Sequence, residues 1–428
     1  MKKCLILSSV LLLSMSISAQ TLTSIETTPT TVNGTYQNPV IPYNAPDPTI
    51  IRAADGKFYL YTTEDTRHVP IYMSTDMVKW YIVGQAFTDA TRPNWNPGNI
   101  WAPDINYING KYVMYYSMSQ WGGEWACGIG VAVADRPTGP FKSPDGTDGK
   151  LFISSEIGVQ NSIDPLYIEV GTHKYLFWGS FRGINGIELS EDGLSIMPGA
   201  VKKQIAGTYT EGTYIIQHDG YFYLIGSAGS CCNGLSSTYH MVMARSQNIM
   251  GPYLNKAGGR ALDNQFSPLL NASPEVAGPG HCSEFIQDDA GQYWVLYHGY
   301  QTSSPDKGRQ AYLDKVFWDQ NGWPYMTGSQ PSTISSSPTI VSPTGIDEIT
   351  NPHSKQVQID KYVKSLLSIR MKDGSDFSWQ LVDLDGKTVK KGKAKGVANI
   401  NCYDIQLGMY IVNVAGNTGK ICEKMIKY

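Results

Sequence analysis

Hydrophobic and polar residues recur in the same order at five places along the chain. Each place has a glycine-containing turn followed by aromatic and β-branched residues, which is the pattern of a hairpin entering a strand. The five seven-residue stretches, called the repeat segments below, are Asp-Gly-Lys-Phe-Tyr-Leu-Tyr (55–61), Asn-Gly-Lys-Tyr-Val-Met-Tyr (109–115), Gly-Thr-His-Lys-Tyr-Leu-Phe (171–177), Asp-Gly-Tyr-Phe-Tyr-Leu-Ile (219–225) and Ala-Gly-Gln-Tyr-Trp-Val-Leu (290–296). Long helical periodicity is missing, so the pattern predicts an all-β protein.

The spacing of the repeat segments predicts the architecture. Their turn glycines are 54, 61, 49 and 71 residues apart. That spacing fits one four-stranded blade per repeat, so we expect a five-bladed β-propeller over residues 36–330. A β-sandwich of similar strand content is the alternative, but it would not account for five equivalent units.

The start of the chain has the pattern of a secretory signal peptide over residues 1–19. Lys2 and Lys3 precede an apolar stretch from Leu5 to Leu13, and small residues follow up to Ala19. The apolar stretch is too short to cross a bilayer, and no later stretch is long and apolar enough to do so. Residues 20–35 are rich in Thr and Ser and predict a flexible lead-in. We therefore expect a protein exported to the periplasm, the cell surface or the medium.

The end of the chain differs in character from the repeats. Residues 331–345 are rich in Ser, Pro and Thr and predict a linker. Within residues 346–428, strand-like runs occur at Leu366–Arg370, Trp379–Asp383 and Met409–Val414, with Asp-Gly turns at 373–374 and 385–386. This pattern predicts a small C-terminal β-sandwich module.

Composition narrows the class of ligand. The net charge is −3, which gives no indication of nucleic-acid binding. The 27 Tyr and 10 Trp with only 17% charged residues suit neutral ligands such as sugars, although most of these aromatics are expected in strands and core. The six cysteines after the signal allow 15 pairings, among which Cys402 with Cys422 is one possibility.

One polar residue precedes each repeat segment. These residues stand 9, 6, 7, 9 and 10 positions before the turn glycines and are Asp47, Asp104, Asp164, Glu211 and His281. The innermost strands of a propeller border one channel, so we expect these side chains to converge at its mouth. Crowded carboxylates raise each other's pKa, which allows one to stay protonated while another is ionised, as glycoside hydrolysis requires. The structural alternatives are that Asp104 caps a strand and that His281 is a core histidine.

The motifs around these residues resemble glycoside hydrolase family 43. They are Ala45-Pro46-Asp47-Pro48, Trp101-Ala102-Pro103-Asp104, Ser162-Ile163-Asp164-Pro165, Glu211-Gly212-Thr213-Tyr214 and Gly278-Pro279-Gly280-His281. The resemblance implies a five-bladed propeller that cleaves arabinose- or xylose-containing polymers with inversion. It also implies that Asp47 is the general base, that Glu211 is the general acid, and that Asp164 tunes and orients the acid. His281 would hold calcium or a similar ion, together with waters.

Further stretches are similar to the endo-acting arabinanases within that family. They are Asn99–Asp104, Cys127–Ala132, Gly179–Ile184 and Gly229–Tyr239. They imply internal hydrolysis of α-1,5-linked L-arabinan, a plant cell-wall polysaccharide. We expect the enzyme to be a monomer. The predicted substrate-binding residues are Trp101, Asp104, Ser162 and Phe181.

The C-terminal module resembles the sorting domains of secreted proteins. The resemblance rests on Trp379–Lys387, Gly408–Val414 and Lys424–Lys427. It implies a role in export or surface attachment without catalysis. A carbohydrate-binding module is the alternative, although few aromatics other than Trp379 are expected on its surface.

Three other functions remain open for the propeller. A sucrose- or fructan-acting propeller would retain configuration, but it uses an Asn-Asp-Pro-Asn nucleophile motif where this chain has Pro46-Asp47-Pro48-Thr49. A non-catalytic sugar-binding propeller would not need all three acids. An exo-acting α-L-arabinofuranosidase or β-xylosidase of the same family would differ in the shape of its loops.

Overall fold

The computed structural model describes residues 34–64, 68–341, 357–360, 362–363, 365–383, 387–405, 408–416 and 419–427. The predicted signal peptide, nearly all of the lead-in, the end of the linker and the turn at 385–386 lie outside these residues. The chain divides into two compact units, and the described residues belong to Ser24–Thr344 or to Gly345–Tyr428. Among the described residues, no helix is both long and apolar enough to cross a membrane.

The described residues of the first unit form five antiparallel sheets of four or five strands that follow one another along the chain, and one further two-stranded sheet. Sheet 1 comprises β2 (Thr49–Arg52), β3 (Phe58–Tyr61), β4 (Pro70–Ser74) and β5 (Tyr81–Gln85). Sheet 2 comprises β6 (Asn99–Ile108), β7 (Lys111–Ser119), β8 (Gly128–Ala134) and β9 (Lys150–Ile153). Sheet 3 comprises β10 (Leu166–Val170), β11 (His173–Trp178), β12 (Ile184–Leu189) and β13 (Lys203–Ala206).

The last two sheets of this unit have the same up-and-down order. Sheet 4 comprises β14 (Thr210–His218), β15 (Tyr221–Ala228), β16 (His240–Ser246) and β17 (Ser267–Leu270). Sheet 5 comprises β18 (Val276–Gly280), β19 (Ile286–Gln287), β20 (Tyr293–Gln301), β21 (Gln310–Trp318) and β22 (Pro324–Tyr325). Helices are short: α1 (Ser154–Ile157) and the 3-10 turns Gly234–Ser236, Ala261–Asp263, Pro305–Lys307 and Thr327–Ser329.

Each repeat segment forms a hairpin turn and enters the strand that follows it. The turn glycine of every segment has a positive φ, which only glycine adopts readily: Gly56 78°, Gly110 82°, Gly171 62°, Gly220 79° and Gly291 80°. The strands that begin in or just after these turns are β3, β7, β11, β15 and β20. The prediction of five turn-to-strand hairpins is therefore confirmed.

The five sheets are joined in cyclic order by hydrogen bonds from one sheet to the next. The backbone N–H of Ala102 donates to Thr63 Oγ1 (2.8 Å), and that of Asp164 donates to Ser117 Oγ (2.9 Å). These two bonds join sheet 2 to sheet 1 and sheet 3 to sheet 2. Gly212 N–H donates to Asp164 Oδ2 (3.1 Å) and so joins sheet 4 to sheet 3.

The remaining two bonds complete the circle. His281 N–H donates to Ser227 Oγ (2.8 Å), which joins sheet 5 to sheet 4. Asp47 N–H donates to His298 Nδ1 (3.2 Å), which joins sheet 1 to sheet 5. Apolar clusters fill the spaces between neighbouring sheets, as where Tyr115 of sheet 2 stacks on Tyr167 of sheet 3 with ring centroids 5.6 Å apart. Burial of such side chains is the main source of stability in a protein of this kind.

Part of the predicted linker belongs to the first unit. Residues Ile334–Ser336 form β23, which pairs with β1 (Thr35–Gln37). The N–H groups of Thr339 and Val341 then donate to the carboxylates of Asp288 and Asp289. The chain therefore stays attached to the first unit through residue 341, beyond the boundary predicted at 330.

The described residues of the second unit form two sheets. One sheet comprises β24 (Val357–Ile359), β26 (Leu366–Met371) and β29 (Val397–Asn401). The other comprises β25 (Tyr362–Val363), β27 (Asp376–Asp383), β28 (Thr388–Lys395), β30 (Gly408–Gly416) and β31 (Gly419–Lys427). The three strand-like runs read from the sequence fall on β26, β27 and β30. Leu367 and Ile369 of the smaller sheet share one buried core with Leu381 and Val412 of the larger.

The cysteine pairing differs from the possibility raised by the sequence. Cys402 and Cys422 are free thiols, whereas Cys231 and Cys232, which are adjacent in sequence, form a disulfide. This disulfide lies in the loop between β15 and β16, so it constrains that loop locally and closes no long segment of chain.

Candidate active site

Each of the five sheets has one residue in the left-handed backbone conformation, within or beside its first strand. These residues are Asp47 (φ 55°), Ala102 (41°), Asp164 (59°), Gly212 (55°) and His281 (49°). Such a conformation costs about 1–3 kcal/mol for a residue other than glycine and concentrates at functional sites. Three of these residues, Asp47, Asp164 and His281, are those predicted from the spacing before the repeat segments. The other two predicted residues do not occupy equivalent positions. Glu211 stands one residue before its equivalent position, and Asp104 stands two residues after.

Asp47 is surrounded by one cationic side chain, Arg309, and by three hydrogen-bonding side chains. Its Oδ1 is 3.0 Å from Arg309 NH1 and 3.2 Å from both His281 Nδ1 and His298 Nδ1. Thr63 Oγ1 donates to its Oδ2 at 2.5 Å. The carboxylate is buried, and four side chains from sheets 1 and 5 fix its orientation.

The side chains around Asp47 keep its carboxyl group ionised. Burial acts to raise the pKa of Asp47, but the Arg309 guanidinium, His281 and His298 outweigh it and hold the pKa well below its ordinary value. Burial also lowers the pKa of His298, to about 4, so this imidazole is neutral at neutral pH. An ionised, oriented carboxylate is the form that a general base requires.

Glu211 has the opposite electrostatic character. Ser180 Oγ donates to its Oε2 at 2.6 Å, and Tyr239 OH donates to its Oε1 at 2.9 Å. Burial raises the pKa of Glu211, the two hydroxyl contacts lower it, and the charge of Asp47 raises it, with a net rise. A carboxyl group with a raised pKa can keep its proton near neutral pH and act as a general acid.

Asp164 connects the acid segment to sheet 3. Its Oδ2 accepts the hydrogen bond from Gly212 N, and its own N–H donates to Ser117 Oγ. Burial raises the pKa of Asp164 well above its ordinary value, and the charges of Glu211 and Asp47 add to the rise. Because like charges resist joint ionisation, Asp164 and Glu211 together hold a proton more strongly than either would alone.

The comparison with known protein families identifies both regions of the chain. Residues 36–324 match the glycosyl hydrolases family 43, and residues 351–428 match the secretion system C-terminal sorting domain. The chain belongs to glycosyl hydrolase family 43. The predicted family and the predicted sorting domain are confirmed, and the sorting domain identifies a protein made for export.

Two curated proteins are about 30% identical to this family 43 chain over the aligned residues. An extracellular exo-α-(1→5)-L-arabinofuranosidase of Cellvibrio japonicus is 30% identical over 65% of this chain and 85% of that protein. An extracellular endo-α-(1→5)-L-arabinanase of Bacillus subtilis is 31% identical over 65% of this chain and 86% of that protein.

A solved structure agrees with these relatives. The α-L-arabinanase of Cellvibrio cellulosa complexed with arabinohexaose has a TM-score of 0.60 and 28% identity, over 66% of this chain and 95% of that chain. The similarity therefore covers nearly the whole solved arabinanase and about two thirds of this family 43 protein.

The residues predicted to bind substrate occupy different environments. Trp101 is half-buried, and its ring centroid lies 5.4 Å from that of the exposed Trp121. Phe181 is half-buried beside Ser180, has a φ of 51°, and donates its N–H to Thr210 O. Ser162 is fully buried, and its hydroxyl donates to Val159 O and accepts from Trp178 Nε1, so no part of its side chain reaches the surface.

Asp104 pairs with a residue that the sequence pattern did not indicate. It is buried and in contact with the carboxyl group of Glu284. Burial raises the pKa of Asp104 well above its ordinary value, and the neighbouring charge of Glu284 adds to the rise. Its Oδ2 accepts hydrogen bonds from Asn106 and from Tyr167 N, so this carboxyl joins sheets 2, 3 and 5.

The ion predicted at His281 has few protein ligands in this family 43 chain. His281 Nδ1 faces Asp47, and burial lowers the pKa of His281, which keeps the imidazole neutral and able to bind a metal. The cavity beside it, lined partly by Asp104, Asp164 and Glu284, has a volume of about 20 Å³. Within the described part of the chain, no three His, Cys, Asp or Glu side chains are arranged around a common metal position. Calcium takes six to eight oxygen ligands, so these residues do not fit a calcium site by themselves.

Several residues of the site escaped the sequence analysis. Four of them stand two positions after the end of a repeat segment: Thr63, Ser117, Ser227 and His298. The side chain of each accepts a hydrogen bond from a backbone N–H of the next sheet. That constant offset is a signal present in the sequence. Arg309, in contrast, lies in the loop after the 3-10 turn Pro305–Lys307, where no repeat indicates it.

Proposed function

We propose that this protein is a secreted glycosidase that cleaves α-1,5-linked L-arabinan internally and with inversion. The observation that carries the proposal is the contrast between two buried carboxyl groups of one site. Asp47 has a strongly lowered pKa beside Arg309, whereas Glu211 has a raised pKa. Such a contrast separates the base from the acid in glycoside hydrolysis.

The proposed fold is a five-bladed β-propeller over the first unit and a β-sandwich over the second. Support for the propeller comes from the five consecutive sheets and from the hydrogen bonds that join sheet 5 back to sheet 1. Support for the sandwich comes from the core that its two sheets share. We place the catalytic domain at about residues 36–341, which extends the predicted domain to include β23.

In the proposed reaction, Asp47 takes a proton from a water molecule as that water attacks the anomeric carbon. Glu211 gives its proton to the departing glycosidic oxygen at the same time. Asp164 holds the Glu211 segment through Gly212 N–H and helps to keep the acid protonated. An inverting enzyme of this type places its two carboxyl groups roughly 6.5–9.5 Å apart, which leaves room for the water.

The substrate proposal rests on the relatives and on the exposed aromatic surface beside the site. Both curated relatives act on α-(1→5)-L-arabinosyl linkages by name. Trp101 and Trp121 form an aromatic pair at the same end of sheet 2 as the start of β6, and aromatic faces suit the C–H faces of furanose rings. Trp101 and Phe181 are the proposed contacts to the sugar chain.

Product analysis tests the proposed function. Linear debranched arabinan is incubated with the full-length protein, and the early products are separated by chromatography. Endo action predicts a ladder of oligosaccharides from the first time points. Arabinose alone from the start would instead support the exo-acting alternative, which is the activity named for the Cellvibrio japonicus relative. If Glu211→Ala retained wild-type activity, the acid assignment would be wrong.

A calcium or similar ion near His281 is a separate proposal. The neutral imidazole is its support, and most of its ligands would have to be waters. No step of the mechanism above passes through this ion.

A further inference from the structure

An aromatic stack lies beside the proposed general acid and has no part in the mechanism above. Tyr209 is 41% exposed, and its ring stacks on that of Phe266 with centroids 6.0 Å apart and planes 25° apart. The ring of His240 lies 6.4 Å from it at 67°. Tyr209 and Phe266 are called the Tyr209 stack below.

The Tyr209 stack is linked to Glu211 along the chain by β14 and through Tyr239 by β16. Tyr209 stands two residues before Glu211, a distance of about 7 Å along an extended chain. His240 directly follows Tyr239, whose hydroxyl donates to Glu211. The stack therefore lies on the chain segment that leads into Glu211 and next to the strand that follows Tyr239.

The backbone holds Tyr209 in place without a ligand. Its N–H donates to Asn264 Oδ1 (3.1 Å), and Asn264 has a left-handed φ of 61°. Gly207 makes this approach possible, because a Cβ at that position would lie 2.1 Å from Asn264 Oδ1. A ring that is already ordered loses little conformational entropy when it binds a ligand.

The chemistry of inversion determines which part of the substrate reaches this stack. The attacking water comes from the side of Asp47, and the leaving group departs on the opposite side, toward Glu211. The units beyond the departing oxygen therefore extend over the acid side of the site. An exposed, fixed aromatic ring offers these units a surface for their C–H faces.

We propose that Tyr209, stacked on Phe266, binds the arabinofuranosyl units on the leaving-group side of the cleaved bond. This inference rests on the proposed function and adds a specificity-determining residue to it. Tyr209 acts by binding the departing chain and takes no part in proton transfer.

The test measures where an α-1,5-arabinohexaose labelled at its reducing end is cut. Tyr209→Ala is compared with wild type, with Tyr209→Phe, and with Tyr209→Leu, which keeps bulk but removes the aromatic face. Tyr107→Ala is the control, because Tyr107 is 57% exposed at the opposite end of its sheet, beside the turn at Gly110.

The proposal predicts that Tyr209→Ala and Tyr209→Leu move the cuts toward the reducing end, because fewer units are held on the leaving side. It also predicts a loss of kcat/KM of about 3- to 10-fold, the size of an aromatic contact, with the pH profile unchanged. Tyr209→Phe and Tyr107→Ala should behave as wild type.

Two results would overturn the proposal: an unchanged cut distribution in Tyr209→Ala and Tyr209→Leu, or an equal loss at all bonds with a shifted pH profile. Failure of wild type itself to cut the hexaose would instead refute the proposed function, and the inference with it.

Discussion

The phenol ring of Tyr239 stacks on the imidazole ring of His298, with centroids 5.6 Å apart and planes only 8° apart. Tyr239 donates its hydroxyl to Glu211, and His298 Nδ1 lies 3.2 Å from Asp47 Oδ1. One buried ring pair therefore connects the proposed acid in sheet 4 to the proposed base on sheet 1. Because inversion depends on the separation of these two carboxyl groups, we expect this ring pair to maintain it.

Removal of the Tyr239 hydroxyl should change the pH dependence on the alkaline side. The hydroxyl contact lowers the pKa of Glu211, so Tyr239→Phe should raise that pKa further. A general acid works while protonated, and its activity is lost as pH rises through its pKa. The alkaline limb of kcat/KM should therefore move to higher pH in Tyr239→Phe. Tyr253→Phe is the matched control, because the buried Tyr253 hydroxyl donates to Ile249 O.

Removal of the Arg309 charge should change the acidic side of the same profile. Arg309 helps to hold the pKa of Asp47 down, so Arg309→Met should raise that pKa. A general base works while ionised, so the acidic limb should move to higher pH, with a loss at low pH of roughly tenfold for each unit of displacement. Arg52→Met, which removes an ion pair with Asp289, should leave the limb in place. An acidic limb that stays fixed in Arg309→Met would contradict this role.

The buried pair of Asp104 and Glu284 should make stability depend on pH. The pKa of Asp104 is raised in the folded protein, mainly by burial, above its unfolded value near 4. The contribution of Asp104 to the free energy of unfolding is therefore fully present below the pKa of the unfolded chain. It declines as pH rises toward the pKa of the folded protein. Asp104→Asn cannot ionise and keeps an amide donor for Glu284, so its Tm relative to wild type should increase from pH 5 to pH 8.

The measurement is a series of thermal melts of both proteins across this range. Asp145→Asn serves as the control, because Asp145 is exposed beside Lys142. A difference in Tm between Asp104→Asn and wild type that did not vary with pH would argue against a shared proton in this pair.

The proposed ion near His281 predicts that purified protein contains a bound divalent metal. We expect chelation to lower Tm or activity, and His281→Ala to lose the metal. Elemental analysis of the purified protein is the measurement. If it found no bound metal in wild type, the ion site should be abandoned, while the acid and base assignments would be unaffected.

The hairpins could be predicted from the sequence because each depends on local chemistry. A glycine at a turn and an aromatic run after it specify a hairpin wherever they occur, as at Gly56 and Gly220. The register of the site residues could not be predicted in the same way. Strand irregularities between Trp101 and Asp104, and between Glu211 and Tyr214, move Asp104 and Glu211 away from the position that Asp47 and Asp164 share.

Two contacts of the site join residues that are far apart in sequence, and no local pattern predicts them. Glu284 follows His281 by three residues and meets Asp104 only because both residues line the same small cavity. Arg309 reaches Asp47 from a loop 262 residues away in sequence. Neither contact depends on a local pattern, so a single sequence contains no periodic signal for it.

The stereochemistry of the first product tests the central claim most directly. The claim is that Asp47 activates a water that displaces the sugar chain protonated by Glu211 in one step. Proton NMR of early digests of α-1,5-arabino-oligosaccharides reports the anomeric configuration before mutarotation. Inversion predicts that the β-anomer of the newly formed reducing end appears first. Initial appearance of the α-anomer would show retention, which requires a nucleophile on the enzyme and contradicts the assignment of Asp47 as a general base.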